Sequence, residues 1–170
     1  MSYRLDPKVY VVCVAAKKAG LSHGCWVSAD QDVSDMQEAI DKMLANSPVS
    51  GAKEWAIEDC EDFGDLEIAT NESLDAIREK GQFVEEYGEL GAALADHYGN
   101  LEAAKEALTS SYQGEYKSKR DFAIKLFGDL SQLPDNLSVY INYDLFCSDI
   151  FISDYFDLTL HGKVHIFSNH

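Results

Sequence analysis

Residues 9–16 read VYVVCVAA, and how this run is taken decides the fold. Four of its eight residues are valine, whose branched side chains are stiff in a helix and pack well on a pleated surface. The run is therefore expected to be a buried strand. It is too short to span a membrane. Lys17 and Lys18 follow it instead of preceding it, the wrong charge order for a secretory signal, so the expected compartment is the cytoplasm. Gly20 to Gly24 supply a turn, and 25–29 (CWVSA) supply a second strand that closes a hairpin. Ser28 or Asp30 then opens a helix over 33–46. Val33, Met36, Ile40, Met43 and Leu44 fall on one of its faces, and 47–51 (SPVSG) end it. Trp55, Ile57 and Asp59 continue as a third strand, so residues 1–62 form an N-terminal α/β module of ββαβ type.

Further along the chain, the pattern changes. Residues 62–72 (DFGDLEIATNE) are an acidic connector, and Asn71 or Ser73 can cap the next helix. Leu74, Ile77, Phe83, Val84, Tyr87, Leu90 and Leu94 keep helical spacing. Gly81, Gly88, Gly91 and Gly99 interrupt it, which predicts several short helices, with another over 101–108 opened by Asn100. Residues 63–111 thus read as a central acidic helical module. A tight connection is expected over 112–116 (YQGEY). Ser118 caps a helix over 119–130 with Phe122, Ala123, Leu126 and Phe127 inward. Pro134 starts a further segment, where Leu137, Tyr140, Ile141, Asp144, Leu145 and Ile152 predict a helix through about Asp149. A terminal hairpin, 155–160 with 164–168, turns at His161–Gly162. Residues 112–170 are then a C-terminal α+β module. The fold class is α+β, an elongated chain of three small modules.

The charge is unevenly spread. The formal net charge is -16, from 30 acids and 14 bases. Residues 1–53 carry 6 of each, residues 54–110 carry 16 acids and 3 bases, and residues 111–170 carry 8 and 5. Ordinary surfaces interleave signs, because unpaired like charges destabilise the folded chain. Glu54, Glu58, Asp59, Glu61, Asp62, Asp65 and Glu67 have no base among them. Glu72, Asp75, Glu79, Glu85, Glu86, Glu89, Asp96, Glu102 and Glu106 share only Arg78, Lys80 and Lys105. Such a field repels nucleic acid and attracts basic clefts. Carboxylates spaced about one per 5.4 Å helical turn on several elements approach the charge density of a duplex.

Other chemistries find little support. Cys13, Cys25, Cys60 and Cys147 are scattered with no C-x-x-C pair, which fits reduced, packed thiols and not a zinc site or disulfide framework. Asp30, Asp32, Ser34 and Asp41 resemble the start of a calcium loop. However, Asp35 stands where the sharp turn needs Gly, and Asp41 where a bidentate Glu is needed; helix capping explains the same acids. His161 and His165 share a strand face but have no further ligand in reach by sequence. No nucleophile elbow, phosphate loop or dinucleotide fingerprint occurs. The chain is expected to be no enzyme and to need no cofactor or metal. A hydrolase with an unrecognised carboxylate pair is the contrary reading.

Motifs in order along the chain point to a family. Residues 112–123 (YQGEYKSKRDFA) resemble the Y-x-G-x-Y-x-S-x-x-D-[FY]-A signature of ArdA-type antirestriction proteins. Residues 140–149 (YINYDLFCSD) resemble that family's YIDYE-x-[WY]-x-R-D, and 162–167 (GKVHIF) its G-x-[VY]-x-[VF]-F close. Val9 and Tyr10 with 23–26 (HGCW) resemble the opening strand and the G-x-W strand, and 55–59 (WAIED) the [FW]-x-[IF]-x-D-x-E strand. Asn142, Cys147, Ser148 and Cys25 depart from the pattern.

The resemblance implies an acidic mimic of DNA, usually a homodimer, carried by mobile genetic elements. It implies that the chain occupies the DNA-binding cleft of the methyltransferase core of type I restriction–modification enzymes without binding nucleic acid itself. The runner-up is an acidic adaptor or inhibitor of another basic DNA-binding protein or defence nuclease. The expected partner-binding surface comprises the acids named above from Glu54 to Glu106, extended by Asp144 and Asp149 and lying on one outer ribbon. Tyr140, Ile141, Leu145 and Phe146 are the expected dimer contacts, with core packing the competing explanation.

Overall fold

The computed structural model describes residues 4–170, which fall into two compact units, Met1–Leu101 and Glu102–His170. The first is built on an antiparallel sheet of β1 (Lys8–Cys13), β2 (Gly24–Ser28) and β3 (Trp55–Glu61), in the order β2-β1-β3. Strand β1 pairs Val9 with Val27 and Cys60, and Val11 with Cys25 and Ile57. Alternation sends these residues to one face, where Val9, Val11, Val27 and Ile57 are buried. The valine-rich run is thus a strand, as the sequence implies, but it ends at Cys13. Val14–Lys18 turn into a short helix, α1, because Ala15 and Ala16 remove the crowding that keeps valines extended.

Two helices cover the buried face. Helix α2 (Val33–Ala45) contributes Met36, Ile40 and Met43 to the core. Its N-cap position is Asp32, not Ser28 or Asp30. Helix α3 (Leu74–Tyr98) adds Leu74 and Ile77 to the same core. Ser73 caps it, its hydroxyl accepting from the Ala76 N–H at 3.2 Å. Burying each large side chain contributes roughly 1.5–3 kcal/mol, so this shared core fixes α3 to the sheet. Of the four glycines expected to interrupt it, Gly88 (φ 66°, ψ −161°) divides α3 into two helical segments and Gly99 ends it, whereas Gly81 and Gly91 stay within the helix as buried positions, so there are two segments and not several short helices. The backbone region of Gly88 is essentially closed to residues with a Cβ.

The second unit begins within α4 (Leu101–Glu106), followed by a π-helical turn, Ala107–Ser111, where an unbroken helix to 108 was expected. Its sheet has the order β4-β6-β5, from β4 (Tyr112–Tyr116), β5 (Tyr155–Leu160) and β6 (Lys163–Ser168). The tight connection expected over 112–116 is therefore a strand. Gly114 (φ 114°) sits at a register irregularity against β6 and is no chain reversal. Helix α5 (Lys119–Leu130) starts at the expected Ser118 cap. The single helix expected through about Asp149 is a 3-10 segment (Asp135–Tyr140) and then α6 (Tyr143–Ser153). Asn142 restarts the helix by accepting the Leu145 N–H at 3.1 Å. The terminal hairpin turns at His161 (φ 50°) and Gly162 (φ 75°), as a two-residue hairpin turn requires. Phe122, Ala123, Ile150 and Ile166 form the core, and Tyr155 meets Phe122 edge to face at 4.9 Å. No helix among the described residues is long and apolar enough to cross a membrane.

Candidate partner-binding surface

Met1–Leu101 holds 20 Asp and Glu against 8 Lys and Arg, a formal -12, while Glu102–His170 holds 10 against 6, a formal -4. The surplus belongs to the first unit. There the acids form two groups with different surroundings.

One group lies on β3. A bulge opposite Tyr10 places both Glu58 and Asp59 on the face away from the core, and Glu61 comes next, opposite Lys8. Lys17 reaches Glu58 at 2.8 Å and Lys8 reaches Glu61 at 2.9 Å. Glu54 just precedes the strand and is exposed. Asp62 (φ 61°) has a local task, its carboxylate accepting the Asp6 N–H at 3.1 Å. Asp65 and Glu67 lie exposed in the connector after it.

The other group lies on α3. Asp75, Glu79 and Glu86 are exposed, and the spacings of four and seven residues put them on one face. Leu74, Ile77, Gly81 and Val84 occupy the opposite, buried face. At 1.5 Å per residue the three carboxylates stand about 6 and 10.5 Å apart along the axis. The two bases of α3 leave this row bare. Arg78 pairs with Asp32 at 2.8 Å, and Lys80 pairs with Glu72 at 2.8 Å while donating to the Glu67 carbonyl. Asp75, Glu79 and Glu86 make no salt bridge among the described residues. The sheet group lies on the face of β3 turned from the core, and the helix group on the face of α3 turned from the core.

Several expected residues stand apart. Glu85 pairs with Arg4, and Glu89 is half-buried. Asp96 is exposed near the end of α3. Glu72 is mostly buried. Burial pushes its carboxyl up, but the Lys80 ammonium and the Ala69 N–H outweigh this and hold it below the ordinary carboxylate value. A depressed carboxyl contributes stability above the unfolded value, and that stability is lost as pH falls through the folded value. Glu72→Gln should therefore lower stability by roughly 1 kcal/mol at pH 7. The difference from the parent should shrink as pH falls below the ordinary carboxylate range, which urea unfolding at neutral and at acidic pH measures.

In the second unit Glu102 (paired with Lys105 at 2.9 Å), Glu106, Asp144 and Asp149 are exposed, and Arg120 binds Asp144 at 2.8 Å. Of the four expected dimer residues, Phe146 is half-buried, packs against the core cluster and meets Phe127 at 5.3 Å. Ile141 is half-buried, whereas Tyr140 is 82% exposed and Leu145 is also exposed. The sequence reading missed their exposed apolar company: Leu130, Leu133, Leu137, Val139 and Ile152. Ile152 comes seven residues after Leu145 on α6, the signal that places both on one helical face.

Residues 9–165 match the family described as antirestriction protein (ArdA). The chain belongs to that family, and antirestriction is the function the membership implies. No curated protein matches it.

Proposed function

We propose that this chain blocks a type I restriction–modification enzyme by occupying the basic cleft that otherwise holds DNA. The carboxylates stand in for phosphates. The observation that supports this most is the row Asp75, Glu79 and Glu86, which faces solvent while both bases of its own helix are engaged elsewhere. Phosphate contacts position a DNA-binding protein without reading sequence, so a copy of the phosphate row needs no sequence of its own. Binding is steered by the field and weakens as salt rises, because exposed charges are screened beyond about 8–10 Å at physiological salt. No covalent step is involved.

Cleavage of unmodified DNA by a type I enzyme, with and without the protein, tests this reading. Inhibition that reaches completion and fades with added salt is expected. Unchanged cleavage would contradict it and favour the alternative, an acidic adaptor of another basic DNA-binding protein or defence nuclease.

We also infer that the protein pairs with a second copy through the exposed apolar residues of the C-terminal unit. Leu130, Val139, Tyr140 and Ile152 are each at least 74% exposed, and large apolar side chains left in water are what a partner's surface would cover. Tyr140→Asp combined with Leu145→Asp should convert the dimer to a folded monomer, read by sedimentation equilibrium. Since both side chains face solvent in the single chain, the melting temperature of the monomer should change little.

A further inference from the structure

The sheet of the first unit packs one face on the core, and the face turned away from it has a definite composition. Across its middle rung stand Trp26 on β2, Tyr10 on β1 and Asp59 on β3. The next rung is Ser28, Lys8 and Glu61, and on the other side lie Gly24, Val12 and Ala56, where Val12 is buried and the face is no longer open. Trp26 is 43% exposed, with Tyr10 tilted against it at 5.2 Å between ring centres. A Cβ on Gly24 would stand 3.0 Å from the Tyr10 ring and 2.4 Å from the Val11 carbonyl oxygen, so the bare glycine is what lets the tyrosine lie down over the sheet. The sequence thus maintains an aromatic platform in water, apart from the acidic row on α3.

We propose that this platform docks an arginine of the protein that the chain captures, its guanidinium stacked on Trp26 and Tyr10 and its N–H groups donating to Asp59. The identity of the partner rests on the function proposed above, but the chemistry of the surface does not. Trp26 already accepts a cation, since the Lys8 ammonium lies 5.3 Å from its ring centre. Lys8 and Lys17 are engaged by Glu61 and Glu58, which leaves Asp59 with no salt bridge among the described residues; its Oδ1 accepts the Cys60 N–H at 2.8 Å. An ionised carboxylate has about four acceptor sites, so capacity remains. Neighbouring strands lie about 4.8 Å apart, so a guanidinium laid across Tyr10 can touch ring and carboxylate together. Arginine can stack flat and donate sideways at once, whereas an ammonium is a point charge. A nucleic acid or an anionic lipid is disfavoured by the -12 of the unit. Trp, Tyr and Arg are also the residues that dominate protein interfaces.

The test is binding to the type I methyltransferase core at fixed salt. Trp26→Ala should weaken it about tenfold or more, and Asp59→Asn, a nearly isosteric change, by about threefold to fivefold. Trp26→Phe should retain part of the affinity. Unchanged affinity for both Trp26→Ala and Asp59→Asn, while Asp75, Glu79 and Glu86 variants still lose it, overturns the arginine platform and leaves the functional reading intact. If the parent protein does not bind the core at all, that reading fails, and the platform is judged separately by NMR. On titration with N-acetyl-arginine amide the Trp26 indole N–H should shift, and it should shift less with the lysine derivative or in Asp59→Asn. An indole signal that stays in place with the arginine derivative overturns the proposal.

Discussion

Replacing Asp75, Glu79 and Glu86 together by lysine should all but abolish inhibition of a type I enzyme while leaving the protein folded. Each exposed carboxylate contact contributes about 1 kcal/mol or less, so single amide replacements should raise the inhibitory concentration only a few-fold. Reversing three charges in one row removes three attractions and adds three repulsions inside a basic cleft. A loss of on the order of 100-fold or more is expected, equivalent to about 3 kcal/mol. The side chains point away from the core residues Leu74 and Ile77, so no packing is disturbed. Asp75 also sits in the first turn of α3, where an acid favours the helix dipole by about 0.3–1 kcal/mol. Asp75→Asn in place of Asp75→Lys is therefore the control for helix fraying. Inhibition by the triple variant at the parent concentration would show that the α3 row does not carry binding.

Ile77→Ala should be the most damaging core substitution among those that touch no charge. Ile77 is fully buried and packs in one cluster with Val9, Met36 and Ile40, so it joins α3 to the sheet and to α2. Truncating such a residue costs about 2–5 kcal/mol, since both transfer energy and the residual cavity count. The first unit should melt about 10 °C or more below the parent, measured by circular dichroism. Below that transition the inhibitory concentration should stay within a few-fold of the parent value, because every acid of the row is still present. A change of less than about 1 kcal/mol would mean that α3 is held by something other than this core.

Much of the fold could be read because local and tertiary preferences agree. The valines of β1, the Ser73 and Ser118 caps and the His161–Gly162 turn each announce their element, and the structure places each there. The misreadings occur where two signals compete. At 112–116 a glycine between aromatic residues reads as a reversal, yet Tyr112 and Tyr116 belong to a strand whose partner, β6, lies some fifty residues on. Around 141–142 a continuous apolar period hides a break that Asn142 caps. At Cys13 the apolar run continues past the end of the strand.

The acidic surface was legible in amount but not in arrangement. Composition places the surplus in residues 54–110. It does not show that Arg78 and Lys80 turn toward Asp32 and Glu72, nor that a bulge brings Glu58 and Asp59 to the same face of β3. Those facts depend on packing. The platform of Trp26 and Tyr10 escaped notice for a related reason: alternation along β1 identifies Tyr10 as outward, but only the register joins it to Trp26 and Asp59.

Equilibrium competition between this protein and duplex DNA for the type I methyltransferase core tests the central claim most directly. The apparent dissociation constant of DNA should rise in proportion to inhibitor concentration without levelling off, and the affinity of the inhibitor should fall steadily with the logarithm of salt concentration. A plateau, with DNA and inhibitor bound to the core together, would contradict competition for one cleft.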